Sequence, residues 1–405
     1  MNTLEAHLYK NIVKNYDTPC YVYHRNIIKQ NFLKFKKAFS HIHYAVKANS
    51  NLAILQCLSK LGSGFDIVSG GELMRVLKAG GKPSKIVFSG VGKKDEEIKL
   101  ALENNIACFN VESRFEIHQL QRIAKSINRK ANIALRVNPD ISVKTHPYIT
   151  TGLKHNKFGI GWKQIIPYYL EAKSCSHLKI KGIACHLGSQ IFSQRPYISA
   201  MNKLLYLKKI LEKNHIPIVH LDIGGGFGID SHKTFDIQKL SDKLKKIKAL
   251  SHVDVWVEPG RAIIANAGIL LTRVISVKLS DKKFVITDCA MNDLIRPALY
   301  SAYHEIQSLQ YANDKTLKNK QFVCDIVGPV CETSDFLGKD RKIFTQENDI
   351  LLINMAGAYG FSMSSNYNSR PRCAEVLLDT KKKKSYLIRE RESIEDLMAK
   401  EKCLK

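Results

Sequence analysis

The sequence predicts an α/β protein in which a β/α barrel is followed by a mainly antiparallel β domain. Two observations lead to this prediction. Short β-rich segments alternate with amphipathic helical segments from residue 41 to 261, and the helical period disappears after about residue 265. Alternating strands and helices imply a parallel sheet. The chain has 405 residues and 44% apolar content. Because a chain of this length is too long for one ordinary core, two domains are expected.

The barrel prediction rests on the number of β-rich segments. Eight such units close a β/α barrel. A doubly wound open sheet is the alternative, but its G-x-G-x-x-G fingerprint is missing because the glycines of DIGGGFG follow another spacing. We assign the barrel to residues 25–265, with the strand segments HIHYAVKA, FDIVS, KIVFSG, ACFNVES, NIALRVNP, KGIACHLGS, VHLDIGGG and VDVWVEPG.

The second domain is predicted from strand-like segments that are separated by turn residues, a pattern typical of antiparallel sheets. We assign it to residues 266–405. The segment PCYVYH near residue 20 is also strand-like and precedes the barrel, so residues 1–24 are expected to join this domain. The C-terminal segments are LLTRVISVKL, KFVITD, FVCDIVGP, DILLINMAG, AEVLLD and SYLIRE.

The formal net charge of +26 raises the question of a nucleic-acid partner. In IQKLSDKLKKIKAL, however, apolar residues recur at helical spacing with lysines between them, which indicates a solvated helix face. Residues 381–384 are four lysines between two strand-like segments and indicate a charged hairpin tip. Since no aromatic-rich basic stripe or zinc-finger spacing accompanies the charge, we expect no nucleic-acid partner.

The ten cysteines are scattered and form no C-x-x-C pair. The sequence shows neither a secretory signal nor an 18-residue apolar segment. We therefore expect a soluble, reduced, cytoplasmic protein with no membrane association and no metal ion. Most of the cysteines are expected to be small buried residues.

Lys47 ends an apolar strand-like segment and precedes the helical pattern NLAILQCLSKL, with Ser50 as the expected N-cap. Desolvation at the buried end of a strand would lower the pKa of Lys47 and free its amine to form a Schiff base. In a β/α barrel, active-site residues lie where strands end. A surface lysine that only flanks a strand is the alternative.

Three later segments also place unusual residues where strands end, namely CHLGSQ, DIGGGFG and EPGR. Gly224, Gly225 and Gly226 would let backbone N–H groups approach a phosphate, although a tight turn is the alternative. Glu258 and Arg261 place an anion and a cation at a neighbouring strand end, where a surface ion pair is the alternative.

Together these motifs resemble the fold-type III pyridoxal-phosphate-dependent decarboxylases, whose barrel is of the alanine-racemase type. The resemblance covers nearly the whole chain, and YAVKAN and EPGR are shared across the group. MNDLIRPALYSAYH followed by GPVCETSD is particular to the diaminopimelate branch of the family. Further markers are GFDIVSGGEL, FNVES, RVNP, TGLKHNKFGI, HLGSQ, GAYGFSMSSNYNSRPR and RERESIEDL.

The resemblance implies pyridoxal 5'-phosphate as the cofactor. Lys47 matches the lysine that forms the Schiff base, and His186 matches the histidine stacked on the cofactor ring. Glu258 matches the carboxylate that keeps the pyridine nitrogen protonated, so that the ring withdraws electrons as carbon dioxide leaves. The implied cofactor-binding residues are Lys47, His186, Ser189, Gly224, Gly225, Gly226, Glu258, Gly260, Arg261 and Tyr359.

The implied substrate is meso-2,6-diaminopimelate, decarboxylated to L-lysine in the final step of lysine biosynthesis. Its far carboxylate and ammonium need a cation and an anion. The implied catalytic residues are Lys47, His186 and Cys331, the last matching the residue proposed to protonate the intermediate. In the family, Cys331 and Glu332 reach the site of the other subunit, which implies a homodimer with shared active sites. The implied substrate-binding residues are Arg261, Arg296, Tyr300, Glu332 and Tyr359.

Other readings stay open from the sequence. A related decarboxylase of ornithine, arginine or carboxynorspermidine would act on a substrate without the second amino-acid end, and Arg296 argues against it. A catalytically silent relative that binds partners should have lost Lys47 or Cys331, and both are present. Without the neighbouring Glu332 and Asp335, Cys331 would be interpreted as a buried packing residue.

Overall fold

The computed structural model describes residues 3–141, 157–278, 280–311 and 315–404. Residues 151–156 of the motif TGLKHNKFGI lie outside the described residues. The described residues form two compact units, one within Lys29–Ile263 and the other within Met1–Ile28 and Ile264–Lys405. The chain begins with helix α1 (Thr3–Tyr16), strand β1 (Cys20–His24) and helix α2 (Arg25–Ala38).

Residues of the first unit form a closed barrel of eight parallel strands. Each strand pairs with the next along the chain, and the last pairs with the first through His41↔Trp256 and Ile42↔Val257. The predicted barrel is confirmed and the open doubly wound sheet is wrong. The strands are β2 (His41–Ala45), β3 (Gly64–Ile67), β4 (Ile86–Phe88), β5 (Cys108–Val111), β6 (Ala131–Arg136), β7 (Leu178–Ala184), β8 (His220–Asp222) and β9 (Asp254–Val257).

Several of the helices that follow these strands begin at polar side-chain caps. The side chains of Ser69 and Ser113 accept hydrogen bonds from the N–H groups of Glu72 and Glu116, which satisfies donors that a helix leaves unpaired. The expected cap at Ser50 is wrong, because Asn51 accepts from the N–H of Ala53. The helices are α3 (Leu52–Lys60), α4 (Gly70–Lys78), α5 (Asp95–Glu103), α6 (Arg114–Ser126), α7 (Ile165–Ser174), α8 (Arg195–Lys213), α9 (Ile237–Lys245) and α10 (Arg261–Ile264).

The second unit is built on a nine-stranded sheet, and six of its eight strand pairs are antiparallel. The predicted antiparallel character is confirmed. β1, which the sequence assigned to this sheet, pairs with β10 and β16. The other strands are β10 (Gly268–Lys278), β11 (Phe284–Thr287), β12 (Ile306–Ser308), β13 (Phe322–Val327), β14 (Phe336–Ile343), β15 (Ile350–Ile353), β16 (Ala374–Asp379) and β17 (Lys384–Arg389).

Helix α1 contributes to the core of the second unit. Its Ile12 is buried in one apolar cluster with Val22 of β1, Leu271 of β10 and Val376 of β16. Two short helices, α11 (Arg296–Tyr300) and α12 (Ile394–Met398), also belong to this unit. None of the helices in the described ranges combines the length and apolar character needed to cross a bilayer.

Candidate active site

Lys47 lies just beyond the C-terminal end of β2, in a 3₁₀ turn formed by Val46–Ala48. Its Nζ donates a hydrogen bond to Oδ2 of the buried Asp66 at 2.6 Å, and 36% of the Lys47 side chain is exposed. A carboxylate so close stabilises the ammonium form. The amine is therefore ion-paired and partly solvated, and the lowering of its pKa by desolvation stays a prediction.

Three buried carboxyl groups are provided by β3, β8 and the residue after β9: Asp66, Asp222 and Glu258. Asp222 accepts a hydrogen bond from the N–H of Gly224 at 2.8 Å and bonds the Glu258 carboxyl. Burial raises the pKa of Asp222 to about 6. Burial, followed by the charges of Asp222 and Asp66, raises the pKa of Glu258 well above its usual range. Such a cluster favours a positive group beside it.

His186 follows β7 and presents a neutral ring. The N–H of Gly225 donates to its Nδ1 at 3.2 Å, so the ring proton is on Nε2. Burial, followed by the charges of Arg136 and Lys47, lowers the pKa of His186 well below its usual range. An uncharged, planar ring of this kind can stack on a flat ligand without bringing a positive charge to it.

The loop after β8 leaves no room for side chains. Gly224 and Gly226 have φ angles of +70° and +86°, in the region that favours glycine. A Cβ atom at Gly225 would clash with the carbonyl oxygen of Glu258, and one at Gly226 would clash with that of Gly188. Backbone groups therefore approach closely here, and the N–H of Glu258 donates to Gly224 O at 2.9 Å.

Ser189 and Arg261 come together beside this loop. The Arg261 guanidinium donates to Ser189 Oγ at 3.4 Å. The preceding Gly260 packs tightly, because its Cβ would lie 3.0 Å from the Cβ atoms of both Ala45 and Ala48. Glu258 is 7% exposed, so the alternative of a surface ion pair between Glu258 and Arg261 is wrong.

The other expected site residues lie in the second unit. Arg296 begins α11 and is buried, and its guanidinium donates to Nε2 of His304 at 3.1 Å. His304 in turn bonds Asn354 O through Nδ1 at 2.8 Å, which orients the ring. Tyr300 ends α11 and is half-buried, as is Tyr359, whose φ is +56°.

Cys331 and Glu332 are exposed on a loop after β13. Asp335 orders this loop by accepting hydrogen bonds from the N–H groups of Val330 at 2.8 Å and Met291 at 2.7 Å. The N–H of Cys331 donates to a side-chain oxygen of Asn368 at 2.8 Å. Because Cys331 is exposed, the alternative of a buried packing residue is wrong.

Sequence reasoning missed several polar residues of the barrel mouth. Asp66, Asn110 and Asp222 sit inside the apolar strands GFDI, CFNV and HLD. Asn110 donates to Glu258 Oε1 at 3.3 Å. The signal available in the sequence was a single polar residue within an otherwise apolar strand, since a buried polar group needs a partner.

Comparison with known proteins decides the family. Residues 25–265 match the family model described as "Pyridoxal-dependent decarboxylase, pyridoxal binding domain". A diaminopimelate decarboxylase from Vibrio cholerae is 49% identical over 404 residues, which cover 97% of this chain and 94% of that protein. The chain belongs to the diaminopimelate decarboxylase family.

Two further members of the diaminopimelate decarboxylase family extend the comparison. A protein of that name from Neisseria meningitidis is 47% identical over 400 residues, with 97% of each chain covered. The crystal structure of diaminopimelate decarboxylase from Helicobacter pylori complexed with L-lysine superposes with a TM-score of 0.91 at 42% identity. It covers 96% of this chain and 98% of that one.

Pyridoxal phosphate is the cofactor of this family, and the barrel mouth fits it. The glycine loop has no room for side chains because it packs on the carbonyl oxygens of Glu258 and Gly188, and the guanidinium of Arg261, which bonds Ser189, supplies the positive charge that suits a phosphate. The cluster of Asp66, Asp222 and Glu258 suits a protonated pyridine nitrogen. Oδ1 of Asp66 and Oδ1 of Asn110 are buried without a hydrogen-bond partner, so the barrel mouth has polar atoms that a bound cofactor could satisfy.

Proposed function

We propose that this chain decarboxylates meso-2,6-diaminopimelate to L-lysine with pyridoxal 5'-phosphate. The observation that carries the proposal is the nearly full-length match, at 49% identity, to a diaminopimelate decarboxylase. The Helicobacter pylori relative was crystallised with L-lysine, the product of this reaction. The residues at the mouth of the barrel support the same chemistry.

In this proposal the barrel residues hold and tune the cofactor. Lys47 binds it covalently through Nζ, and Asp66 positions that amine at 2.6 Å. The glycine loop, with Ser189, Gly260 and Arg261, binds the phosphate. When bound, the cofactor ring accepts the electrons released as carbon dioxide leaves. Glu258 holds a proton at the pyridine nitrogen, with Asp222 next to it.

The proposed substrate-binding residues include an arginine whose side chain is held by hydrogen bonds. Arg296 is oriented by His304, which in turn is held by the carbonyl of Asn354. A guanidinium fixed in this way suits a carboxylate, which it can bind with two parallel hydrogen bonds. Glu332 would receive the far ammonium, and the remaining proposed contacts are Arg261, Tyr300 and Tyr359.

We further propose the domain limits 25–265 for the cofactor-binding barrel and 266–405, joined by residues 1–24, for the β domain.

The exposed Cys331 and Glu332 would serve the barrel of a second copy in a homodimer with shared active sites, where Cys331 donates a proton. None of the ten cysteines, all in the described part of the chain and six of them buried, forms a disulfide bond, which supports a cytoplasmic location. The lysines of α9 lie on its exposed face, as the solvated helix face of the sequence pattern requires, and we propose no nucleic-acid partner.

The reaction is tested by supplying three substrates in parallel. Purified holoenzyme is incubated with meso-diaminopimelate, ornithine and arginine, and both carbon dioxide and the amine product are measured. Only meso-diaminopimelate should react well, giving lysine. Lys47→Ala is the inactive control, and Lys125→Ala, on the exposed face of α6, is the matched lysine control. Preferred turnover of ornithine or arginine would reject the proposed substrate.

A further inference from the structure

The N-terminal end of the barrel, opposite the cofactor-binding mouth, contains a cavity of about 540 Å³. This volume is within the range of small-molecule sites, roughly 300–1,000 Å³. The bottom of a β/α barrel is normally closed by packed apolar side chains. Here the lining is largely polar or aromatic and includes His43, Lys85, Asn132, Lys181, His220 and Trp256.

Two glycines make space for the imidazole rings that line this cavity. A Cβ atom at Gly182 would clash with the ring of His220, and one at Gly64 would lie 2.6 Å from Nδ1 of His43. The ring of His220 stacks on Trp256 with centroids 3.7 Å apart and an interplanar angle of 4°. β3 and β7 thus each have a glycine, and no side chain, where an imidazole ring packs against the strand.

The buried polar atoms in the cavity wall have defined hydrogen-bonding characters. His43 faces Lys85 O through Nδ1 at 3.2 Å, so Nδ1 carries the proton and Nε2 is an acceptor. Nε2 of His43 and the Nε1–H donor of Trp256 are buried without a hydrogen-bond partner. Leaving such groups unpaired costs roughly 1–3 kcal/mol each, so the wall can gain from an occupant with both a donor and an acceptor.

Positive charge predominates in the cavity. Among the described residues, no ion pair joins Lys85 or Lys181 to a carboxylate, and the lining aspartate, Asp254, is 3.4 Å from His41. Burial, followed by the charge of Lys179, lowers the pKa of Lys181. An anion beside Lys181 would relieve its repulsion with Lys179.

The lining contains lysines and, within the described part of the chain, no arginine. Lysine binds phosphate as a compact point charge that needs no planar partner, whereas arginine offers a planar, bidentate fork to carboxylates and phosphates alike. A metal ion is a poor alternative, because no group of three or more metal-ligating side chains is arranged to hold one within the described ranges. The chemistry therefore favours a phosphoryl group.

We propose that this cavity binds a small organic phosphate. Lys85 and Lys181 hold its phosphoryl group. A hydroxyl or ring N–H of its organic part donates to His43 Nε2, and an acceptor on the same part faces the Trp256 indole. A sugar phosphate and a nucleoside monophosphate share this chemistry, and the test separates them.

The test uses the fluorescence of Trp256, one of only two tryptophans in the chain. In a Trp162→Phe background, the holoenzyme is first reduced with borohydride so that its cofactor stays in the barrel mouth. AMP, ribose 5-phosphate, adenosine and inorganic phosphate are then titrated separately. At least one organic phosphate should bind saturably, at least about tenfold more tightly than adenosine and inorganic phosphate, as a charged hydrogen bond and an organic contact would give.

Three variants locate the binding. Lys181→Met and Lys85→Met should each weaken the organic phosphate by about tenfold or more, while Lys125→Met on α6 should leave it unchanged. Circular dichroism verifies that each variant folds. Because two lysine variants are made, the test remains valid if one of them fails to fold. The proposal is overturned if no probe binds saturably, if both lysine variants bind as the parent does, or if inorganic phosphate binds equally well, which would mean an adventitious ion only.

Discussion

The carboxyl groups Asp66, Asp222 and Glu258 show how single residues define the barrel mouth. Each is buried, and burial alone would disfavour three negative charges in one place. The arrangement persists because Asp66 pairs with Lys47, and Asp222 and Glu258 share a hydrogen bond. A positive ring nitrogen placed at Glu258 would favour the ionised carboxylate, against the effect of burial on its pKa.

Lys47→Ala should abolish covalent attachment of pyridoxal phosphate, because only the Nζ amine can form that bond. The readouts are loss of the yellow absorbance band and loss of borohydride-fixed cofactor. The substitution also leaves the buried Asp66 without its partner, so a lower melting temperature is expected. Lys47→Ala with Asp66→Asn should recover that temperature but not the band. Retention of fixed cofactor in Lys47→Ala would remove Lys47 from this role.

Glu258→Gln should retain the cofactor and lower decarboxylation by roughly two to four orders of magnitude, since an amide cannot hold the pyridine nitrogen protonated. Without cofactor, burial and the charges of Asp222 and Asp66 raise the pKa of Glu258 well above its usual range, which favours the neutral acid that glutamine imitates. The melting temperature of the apo form should therefore change little. Unchanged turnover, measured as carbon dioxide release, would exclude Glu258 from the mechanism.

At the scale of elements, buried ion pairs and imidazoles join neighbouring strands and helices of the barrel. Lys93, in the connection between β4 and α5, is buried, and its Nζ bonds Glu116 of α6 at 2.5 Å. It also donates to the carbonyls of Gly90 and Asn110, both at 2.8 Å. One lysine thus links the ends of β4 and β5 to α6.

Lys93→Met should destabilise the protein by about 3–5 kcal/mol, because it leaves the Glu116 carboxylate buried and unpaired. Burial raises the pKa of Glu116 even with Lys93 present, so the loss should diminish at low pH, where the acid becomes protonated. Lys99→Met is the matched control, since its pair with Glu103 spans 4.0 Å on the surface and should contribute little. Urea unfolding monitors both, and equal losses would contradict this prediction.

The buried imidazoles should make the barrel sensitive to acid. Burial lowers the pKa of His43 to about 4 and that of His220 to about 3, against about 6.5 in an unfolded chain. Between these values the unfolded chain binds more protons, so stability is highest above pH 6.5 and falls as the pH drops toward 4 and then 3.

Glutamine at either position imitates a neutral imidazole and should flatten this dependence. Melting temperatures of His43→Gln and His220→Gln, measured from pH 7 to 4, should fall less than that of the parent. His41→Gln, at a partly exposed side chain, is the control and should follow the parent. Parallel curves for all four proteins would show that these imidazoles do not govern acid stability.

At the scale of the whole molecule, the proposed dimer makes a quantitative prediction. Lys47→Ala and Cys331→Ala, each inactive alone, should restore activity when mixed, if Cys331 serves the partner's Lys47. With random exchange about half of the dimers are mixed and each regains one site of two, so about a quarter of wild-type activity should return. Both variants must first be shown to dimerise and to exchange subunits. Recovery near zero would place both residues on one chain.

The eight barrel strands and most of the C-terminal strands could be predicted because they are apolar segments bounded by turn residues. Two strands were missed. β12 has only three residues, and β14, with the sequence FLGKDRKI, carries a glycine and four charges. Such a strand forms because β13 offers it a backbone partner, and that long-range pairing leaves no local pattern.

By itself the sequence determined the barrel, the antiparallel sheet, the family and the residues of contiguous motifs such as the glycine loop, because spacing and backbone freedom are local properties. Tertiary structure alone decided that Asp66 pairs with Lys47, that Asp222 adjoins Glu258, and that residues far apart in sequence enclose a basic cavity. The pKa of a carboxyl or imidazole depends on its burial and on nearby charges, and closure of the barrel brings those neighbours together.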